Sequence, residues 1–301
     1  MKKLAIVALV MAGIVMTGVI MSHTPNGDNK NKEEHYNFYQ ISGAKVPDQI
    51  EFAGESTPID KFYVREGLDK EMQVNTYWHS STLLLLKRAN RWFPVIEPIL
   101  EKNGIPADFK YLALIESGLE NVRSPAGAAG FWQLLEGTAE DHGLEVNKDV
   151  DERYHLEKST QVACEYLNEA YEQFGDWTLA AAAYNAGKRR IRNAVRDQEV
   201  NNYYDLYLNP ETSRYVYRIL AIKTIYENQS LFGFKLSDED LYQPVPYREV
   251  SFNNEIRDLV RFALDNGTSY KMLKTFNPWL VNDILRNSTR KEYTIKLPEE
   301  E

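Results

Sequence analysis

Cysteine is almost missing. Cys164 stands alone in 301 residues, so neither an internal disulfide framework nor a cysteine-built zinc site can form within one chain. Histidine is scarce as well, with five residues and no HExxH pair. No GxGxxG or GxxxxGK[ST] string occurs, which leaves a nucleotide-binding loop without local support. No metal and no cofactor are expected on these grounds. Positive charge is in deficit, with 35 Lys and Arg against 44 Asp and Glu for a net charge of -9. That balance argues against a general nucleic-acid binder, which needs a basic surface to neutralise phosphates. With 43% hydrophobic and 26% charged residues, the chain is too apolar for wholesale disorder and can bury a packed body. Aromatic residues are abundant: 19 Tyr and 5 Trp suit planar or sugar-like ligands, and they suit ordinary packing equally well.

Lys2 and Lys3 precede an uncharged run from Leu4 to Ser22 in which only Thr17 and Ser22 are clearly polar. The run reads as an export signal, long enough to span a bilayer and without a clean small-x-small site before His23. Residues 1–22 are therefore expected to be a signal peptide or a membrane anchor, the latter placing the protein on an inner membrane. The polar residues that follow, 23–47, read as a flexible tether to an exported body.

From Thr82 to about Asn228 nearly every segment carries helical spacing, and no alternating strand pattern appears. Leu84 to Lys102 is apolar along one face and holds Pro94 and Pro98, which predict a kink or a break into two pieces. Pro106 and Asp108 open a short helix. A longer one from about Lys158 stops at Gly175, Asp176 caps the next, and Ile191–Arg196 and Tyr215–Tyr226 supply more. A helical domain is expected over 48–232, with its core in 80–230. After Gly233 the character changes: Val250–Phe252 and Tyr293–Leu297 read as strands, and Ile256–Leu264 and Tyr270–Phe276 as helices. Residues 233–301 thus form a small α+β unit, marginal in core size alone and docked on the main domain.

One carboxylate falls where apolar residues belong. Phe109, Leu112, Ala113 and Glu116 stand at i, i+3, i+4 and i+7, so Glu116 continues an apolar stripe. Gly118 ends that helix, which places Glu116 in the last turn, where the macrodipole disfavours negative charge. Burial and dipole both raise its pKa, as a general acid near neutral pH requires. From spacing alone, a Glu leaning into solvent or pairing with an arginine fits too. Next comes the small-residue loop Ser124-Pro125-Ala126-Gly127-Ala128-Ala129-Gly130, running into Phe131-Trp132-Gln133. Small residues admit a ligand close to the backbone, Gln133 can donate and accept, and Trp132 offers a ring face. Ala183-Tyr184-Asn185-Ala186-Gly187 adds a phenol and an amide at a helix end. Cys164 sits on a helix with Ala163 and Leu167 and reads as a buried thiol.

In this order and spacing, the strings Ala113–Ser117, Ser124–Gly127 with Gly130–Gln133, Asp151–Arg153, Phe174–Trp177, Ala183–Gly187 and Glu211-Thr212 with Tyr215-Val216 resemble the soluble lytic transglycosylases. These are goose-lysozyme-like enzymes that cleave bacterial peptidoglycan, and the likeness is to their membrane-bound type D branch over roughly residues 80–230. The resemblance implies a mainly α, lysozyme-like fold, a glycan-strand substrate and a single catalytic Glu, which maps onto Glu116. It further implies that Ser117, Phe131, Gln133, Tyr184, Asn185 and Tyr215 contact substrate or lie beside the acid, and that Asp151, Glu152 and Arg153 fix a loop. The implied reaction breaks the bond between N-acetylmuramic acid and N-acetylglucosamine and closes a 1,6-anhydro ring without water.

Three positions depart from the family pattern. Phe131 stands where Leu or Met is common, His155-Leu156 where Asp-Pro is usual, and Lys188-Arg189 where Glu-Gly usually follows. Lys188, Arg189, Arg190, Arg192 and Arg196 form a basic run in an acidic chain, suited either to carboxylates of the substrate's stem peptides or to a plain solvated helix face. The C-terminal unit resembles a degenerate LysM module through Tyr270, Leu273, Asn277-Pro278 and Tyr293–Pro298, with Asn253–Ile256 in place of the usual Gly-Asp-Thr-Leu opening. Two alternatives stand beside the lyase reading. A water-using muramidase would need a second carboxylate such as Glu120 or Asp141, and a non-catalytic peptidoglycan-binding scaffold would need no acid at all.

Overall fold

The computed structural model describes residues 42–299. The leader expected at 1–22 and the tether up to residue 41 lie outside the described residues. Among the described residues no helix is long and apolar enough to cross a membrane. The chain divides into units 1–43 and 44–301, and the second holds everything that follows. Ala44 exchanges two backbone hydrogen bonds with the Gln73 side chain at 3.0 and 3.1 Å, and Ala44 and Val46 pack on the core. The tether expected to reach residue 47 therefore gives way to folded structure by residue 44.

A short hairpin pairs β1 (Glu51–Phe52) with β2 (Glu55–Ser56). Helix α1 (Phe62–Tyr77) follows, outside the expected helical span of 82–228. It forms because Val64, Leu68 and Met72 line one buried stripe, which packs along α8 (Thr212–Glu227). Helix α2 (His79–Lys102) is continuous through Pro94 and Pro98, so of the expected kink or break the break does not occur. Both prolines lie on the solvent face, while Leu86, Ala89, Phe93, Ile96 and Leu100 are buried. Burying such side chains stabilises by roughly 1.5–3 kcal/mol each, which together exceeds the ~3 kcal/mol that each interior proline costs.

The middle of the chain supplies α3 (Lys110–Ser117), α4 (Glu136–Asp141), α5 (Leu156–Phe174), α6 (Trp177–Ala186) and α7 (Lys188–Gln198). Asp176 caps α6 as expected, its carboxylate accepting from the Leu179 N–H at 2.7 Å. The fully buried Ala180–Ala183 run lets α5 and α8 approach α6 closely. Helix α8 is the central strut, buried along most of its length and packed against α1, α3 and α6.

The chain stays on the helical body past residue 233. Phe234 is buried with Leu86 and Ile225, and the Tyr242 N–H donates to the Lys87 carbonyl. The small unit then pairs β3 (Tyr247–Phe252) antiparallel to β4 (Tyr293–Pro298), with Val250 opposite Ile295, around α9 (Leu259–Asp265) and α10 (Tyr270–Phe276). Its core of Leu259, Leu273, Trp279, Leu280, Leu285 and Ile295 takes in Val150 from the main domain. Asp151 donates its N–H to the Trp279 carbonyl, and Val281 donates to that of Asp149. The unit is therefore seated on residues 145–157.

Candidate active site

Helix α3 is short because Gly118 takes a left-handed conformation (φ 63°) and closes the helix with an N–H to the Leu114 carbonyl at 2.9 Å. Phe109, Leu112 and Ala113 are fully buried, and the fourth member of that stripe, Glu116, points with them to the interior edge. Its side chain keeps part of its surface accessible, yet protein surrounds the carboxyl closely. Desolvation is the main influence and raises its pKa above the ordinary Glu value. The Tyr215 hydroxyl, which donates to Oε1, and the charge of Arg218 pull the other way, and the charge of Glu211 adds to the rise.

Tyr215 and Tyr184 stand beside this carboxyl. Burial first, and the Glu116 charge second, push both phenols well above the ordinary tyrosine range, so each is a neutral donor. Tyr215 projects from α8 and is 1% exposed. Tyr184, on the last turn of α6, donates to the Trp132 carbonyl at 2.6 Å. Ser117 donates to the Phe131 carbonyl at 2.8 Å and accepts from the Leu119 N–H at 3.2 Å. The acid-bearing helix, the 124–134 loop and α6 are thus laced together through backbone carbonyls of that loop.

The loop is held from behind. The Arg153 guanidinium, 2% exposed, donates to the Gly127 carbonyl at 3.0 Å and the Leu134 carbonyl at 3.4 Å. Asp151 fixes it with a two-pronged pair at 2.9 and 2.7 Å. The loop-fixing role expected for this segment has that geometry. Gly130 (φ 79°) lies so close that an added Cβ would meet the Arg153 carbonyl oxygen at 2.0 Å. Gln133, with φ 47°, holds a conformation uncommon for a side-chain-bearing residue and donates its amide to the Gly130 and Val122 carbonyls at 2.8 and 3.1 Å.

Two aromatic expectations need correction. Trp132 offers no ring face: it is fully buried, and its indole N–H donates to the Thr160 hydroxyl at 2.8 Å. Phe131 is 4% exposed and meets Trp92 edge-on at 5.3 Å, so its ring belongs to the wall and only its carbonyl serves the site. Asn185 lies near α8, accepting from the Thr212 hydroxyl at 2.8 Å and donating to Glu211 at 3.3 Å.

The two carboxylates considered as a second acid are both exposed. Glu120 pairs with Arg88 at 2.8 Å, and Asp141 ends α4 on the surface. The acidic group whose charge reaches Glu116 is Glu211, which sequence reasoning left unassigned although its motif was noticed. Arg218 was missed as well. It donates to the Ile115 carbonyl at 2.9 Å, and its i, i+3 spacing from Tyr215 was the available signal. A cavity of about 750 Å³ lined by Tyr226, Asn228, Phe234, Asp240 and their neighbours shares no residue with this cluster. A carboxyl with a raised pKa between neutral phenols can give a proton to a leaving oxygen and then, as carboxylate, take one back.

The family model for the transglycosylase SLT domain matches residues 94–207, and that for the soluble lytic transglycosylase C-terminal LysM-like domain matches 248–301. The chain is 30% identical over 220 residues to membrane-bound lytic murein transglycosylase D of Escherichia coli strain K12, covering 71% of this chain and 47% of that protein. It therefore spans about half the length of that relative. Soluble lytic murein transglycosylase of Salmonella typhimurium is 32% identical over 117 residues, covering 36% of this chain and 18% of its own. The crystal structure of the 70 kDa soluble lytic transglycosylase of Escherichia coli aligns with a TM-score of 0.38 at 23% identity, over 51% of this chain and 27% of its own.

Proposed function

Because the chain carries a transglycosylase SLT domain followed by a LysM-like C-terminal domain and is homologous to the lytic murein transglycosylases, we propose that it is a peptidoglycan lytic transglycosylase of the cell envelope. One observation carries the reading: Glu116 is a desolvated carboxyl, raised in pKa, that receives a hydrogen bond from the neutral Tyr215 phenol.

Glu116 in its acid form protonates the oxygen that links N-acetylmuramic acid to N-acetylglucosamine, and that bond breaks, assisted by the muramoyl N-acetyl group. The carboxylate left behind takes the proton of the muramoyl C6 hydroxyl, whose oxygen closes onto C1. The atoms balance without water, and Glu116 ends as it began, protonated. Tyr215 and Arg218 favour the carboxylate that forms midway, while burial keeps the acid form accessible at the start. Ser117 ties the acid's helix and Tyr184 ties α6 to the 124–134 loop. The side-chain oxygen of Gln133, whose N–H groups are taken by Gly130 and Val122, accepts from hydroxyl or acetamido N–H groups of the strand, with Asn185 beside Tyr184 on α6. The uncharged run at 4–22 supports export to the envelope, cleaved or retained as an anchor.

Mass spectrometry of the fragments released from purified sacculi tests the proposal. Anhydro ends are expected, one water lighter than reducing muramic ends. Reducing ends would transfer the assignment to a muramidase and turn attention to Glu211 as the group that positions water.

A further inference from the structure

Helix α7 places Lys188, Arg189 and Arg190 in its first turn, with no acidic residue there to balance them. Cations at a helix N-terminus oppose the macrodipole, so this arrangement does not serve the stability of the helix. Ile191 anchors the helix in the core, and Arg189, Arg190 and Arg192 stand exposed. Lys188 is engaged with Glu169 and lies over the Tyr166 ring at 4.6 Å, and Arg196 pairs with Asp197 at 2.7 Å. Among the described residues no ion pair takes up Arg189, Arg190 or Arg192. The helix begins directly after Asn185-Ala186-Gly187, and the Tyr166 ring beneath Lys188 meets the Tyr184 ring edge-on at 5.5 Å. The helix that carries these three exposed guanidinium groups thus starts beside Tyr184 and Asn185, in a chain whose net charge is -9.

We propose that Arg189, Arg190 and Arg192 bind the carboxylates of the peptide stems on a peptidoglycan strand, so that the protein prefers strands whose stems are intact. The inference rests on the reading of that strand as substrate. Stem peptides carry side-chain and terminal carboxylates at a spacing set by the sugar repeat, and a guanidinium fork matches a carboxylate in two-pronged geometry. Elsewhere the acidic surface repels such groups, which makes this helix the complementary element.

The test uses the full chain bearing Glu116→Gln, which binds without cutting, with and without R189A, R190A and R192A together. Co-sedimentation is measured with sacculi that keep their stem carboxylates and with sacculi stripped of those carboxylates by carbodiimide coupling to a neutral amine. The triple substitution is expected to weaken binding to carboxylate-bearing sacculi by about tenfold at low salt, and by far less to stripped sacculi. The gap should close as salt shortens the screening length below about 10 Å, and R189K/R190K/R192K should bind between the two, since lysine keeps the charge without the two-pronged geometry. Equal binding with and without the arginines, or equal losses on both kinds of sacculi, would overturn the proposal. So would salt-sensitive capture by anionic phospholipid vesicles that the triple variant loses while its sacculus binding is unchanged, since this would assign the patch to a membrane surface. Muropeptide release by the unsubstituted chain is scored separately, so a failure of the enzymatic reading is told apart from a failure of this one.

Discussion

The Tyr215 hydroxyl donates its hydrogen to Oε1 of Glu116, joining the strut helix α8 to the end of α3 at a carboxyl that burial has raised in pKa. The bond favours the ionised form while desolvation favours the neutral one, and desolvation is the stronger of the two. Tyr215→Phe removes the weaker influence and leaves the stronger. The pKa of Glu116 should rise further, and the alkaline limb of the pH–rate profile, where the acid form is lost, should move to higher pH. Turnover should fall by about fivefold, in line with the ~1 kcal/mol of one hydrogen bond. A pH–rate profile superimposable on that of the unsubstituted chain would remove Tyr215 from the proton balance.

Glu116→Gln preserves shape and removes the transferable proton. Turnover on sacculi should drop by at least about a hundredfold, the lower range for a general acid. Stability should move the other way. A carboxyl whose folded pKa lies above its unfolded value contributes stability below the unfolded pKa, and that contribution is lost as pH rises through the folded pKa. Above that window the ionised Glu116 is a burden which Gln does not carry. The variant should therefore melt at a higher temperature than the parent at pH 7, with the difference shrinking toward pH 4. Thermal melts at both pH values decide, and a variant less stable at pH 7 would contradict the assigned burial.

Much of this site was legible in the chain, and the exceptions have physical causes. Glu116 showed itself because a charged residue interrupted an apolar stripe, and Gly118 fixed where the helix ends. Asp176 and Gly175 punctuated α5 and α6 for the same local reasons. Helix α1 stayed hidden because its stripe is only Val64, Leu68 and Met72 among polar neighbours, and its partner α8 lies far away in sequence. Pro94 and Pro98 do not divide their helix because local propensity is overruled by the buried face opposite them. Trp132 and Phe131 were misread because a single sequence does not say whether an aromatic residue faces a ligand or the core. Glu211 acts on Glu116 through space, across elements about 100 residues apart, and spacing carries no trace of that, whereas the i, i+3 spacing of Arg218 from Tyr215 was a signal left unread.

Gly130 offers a test of the loop clamp without touching a charge. A Cβ there would lie 2.0 Å from the backbone oxygen of Arg153, and the positive φ of 79° adds strain for any L side chain. Both partners are backbone, so no side chain can swing aside. Gly130→Ala should cost more than ~1 kcal/mol, since the new residue cannot adopt the native conformation. Because the displaced loop carries the Phe131 and Trp132 carbonyls that hold Ser117 and Tyr184, turnover should fall along with stability. Chemical denaturation and turnover on sacculi read the two effects, and a variant normal in both would show that the loop tolerates displacement.

The seating of the C-terminal unit makes a prediction at acid pH. Asp149, 4% exposed, accepts from Arg286 at 2.7 and 2.6 Å and from Asn282 at 2.8 Å. The Arg286 hydrogen bonds hold its carboxyl down to about 2, below the ordinary 3.8. A folded pKa that is depressed stabilises above the unfolded value, and the benefit disappears as pH falls from about 3.8 through about 2. Docking should weaken in that window before the helical core yields. The same segment of chain carries Arg153, so loosening at Asp149 reaches the clamp on the 124–134 loop. Arg286→Ala should therefore destabilise by roughly 1–2 kcal/mol at neutral pH, a figure moderated because Arg286 is half exposed, and should flatten the acid dependence between pH 4 and 2. Hydrogen exchange of residues 279–287 reports the docking directly and should speed up in the variant at pH 7. Exchange and melting indistinguishable from the parent across that pH range would mean that the apolar contacts of Val150 and Leu280 seat the unit alone.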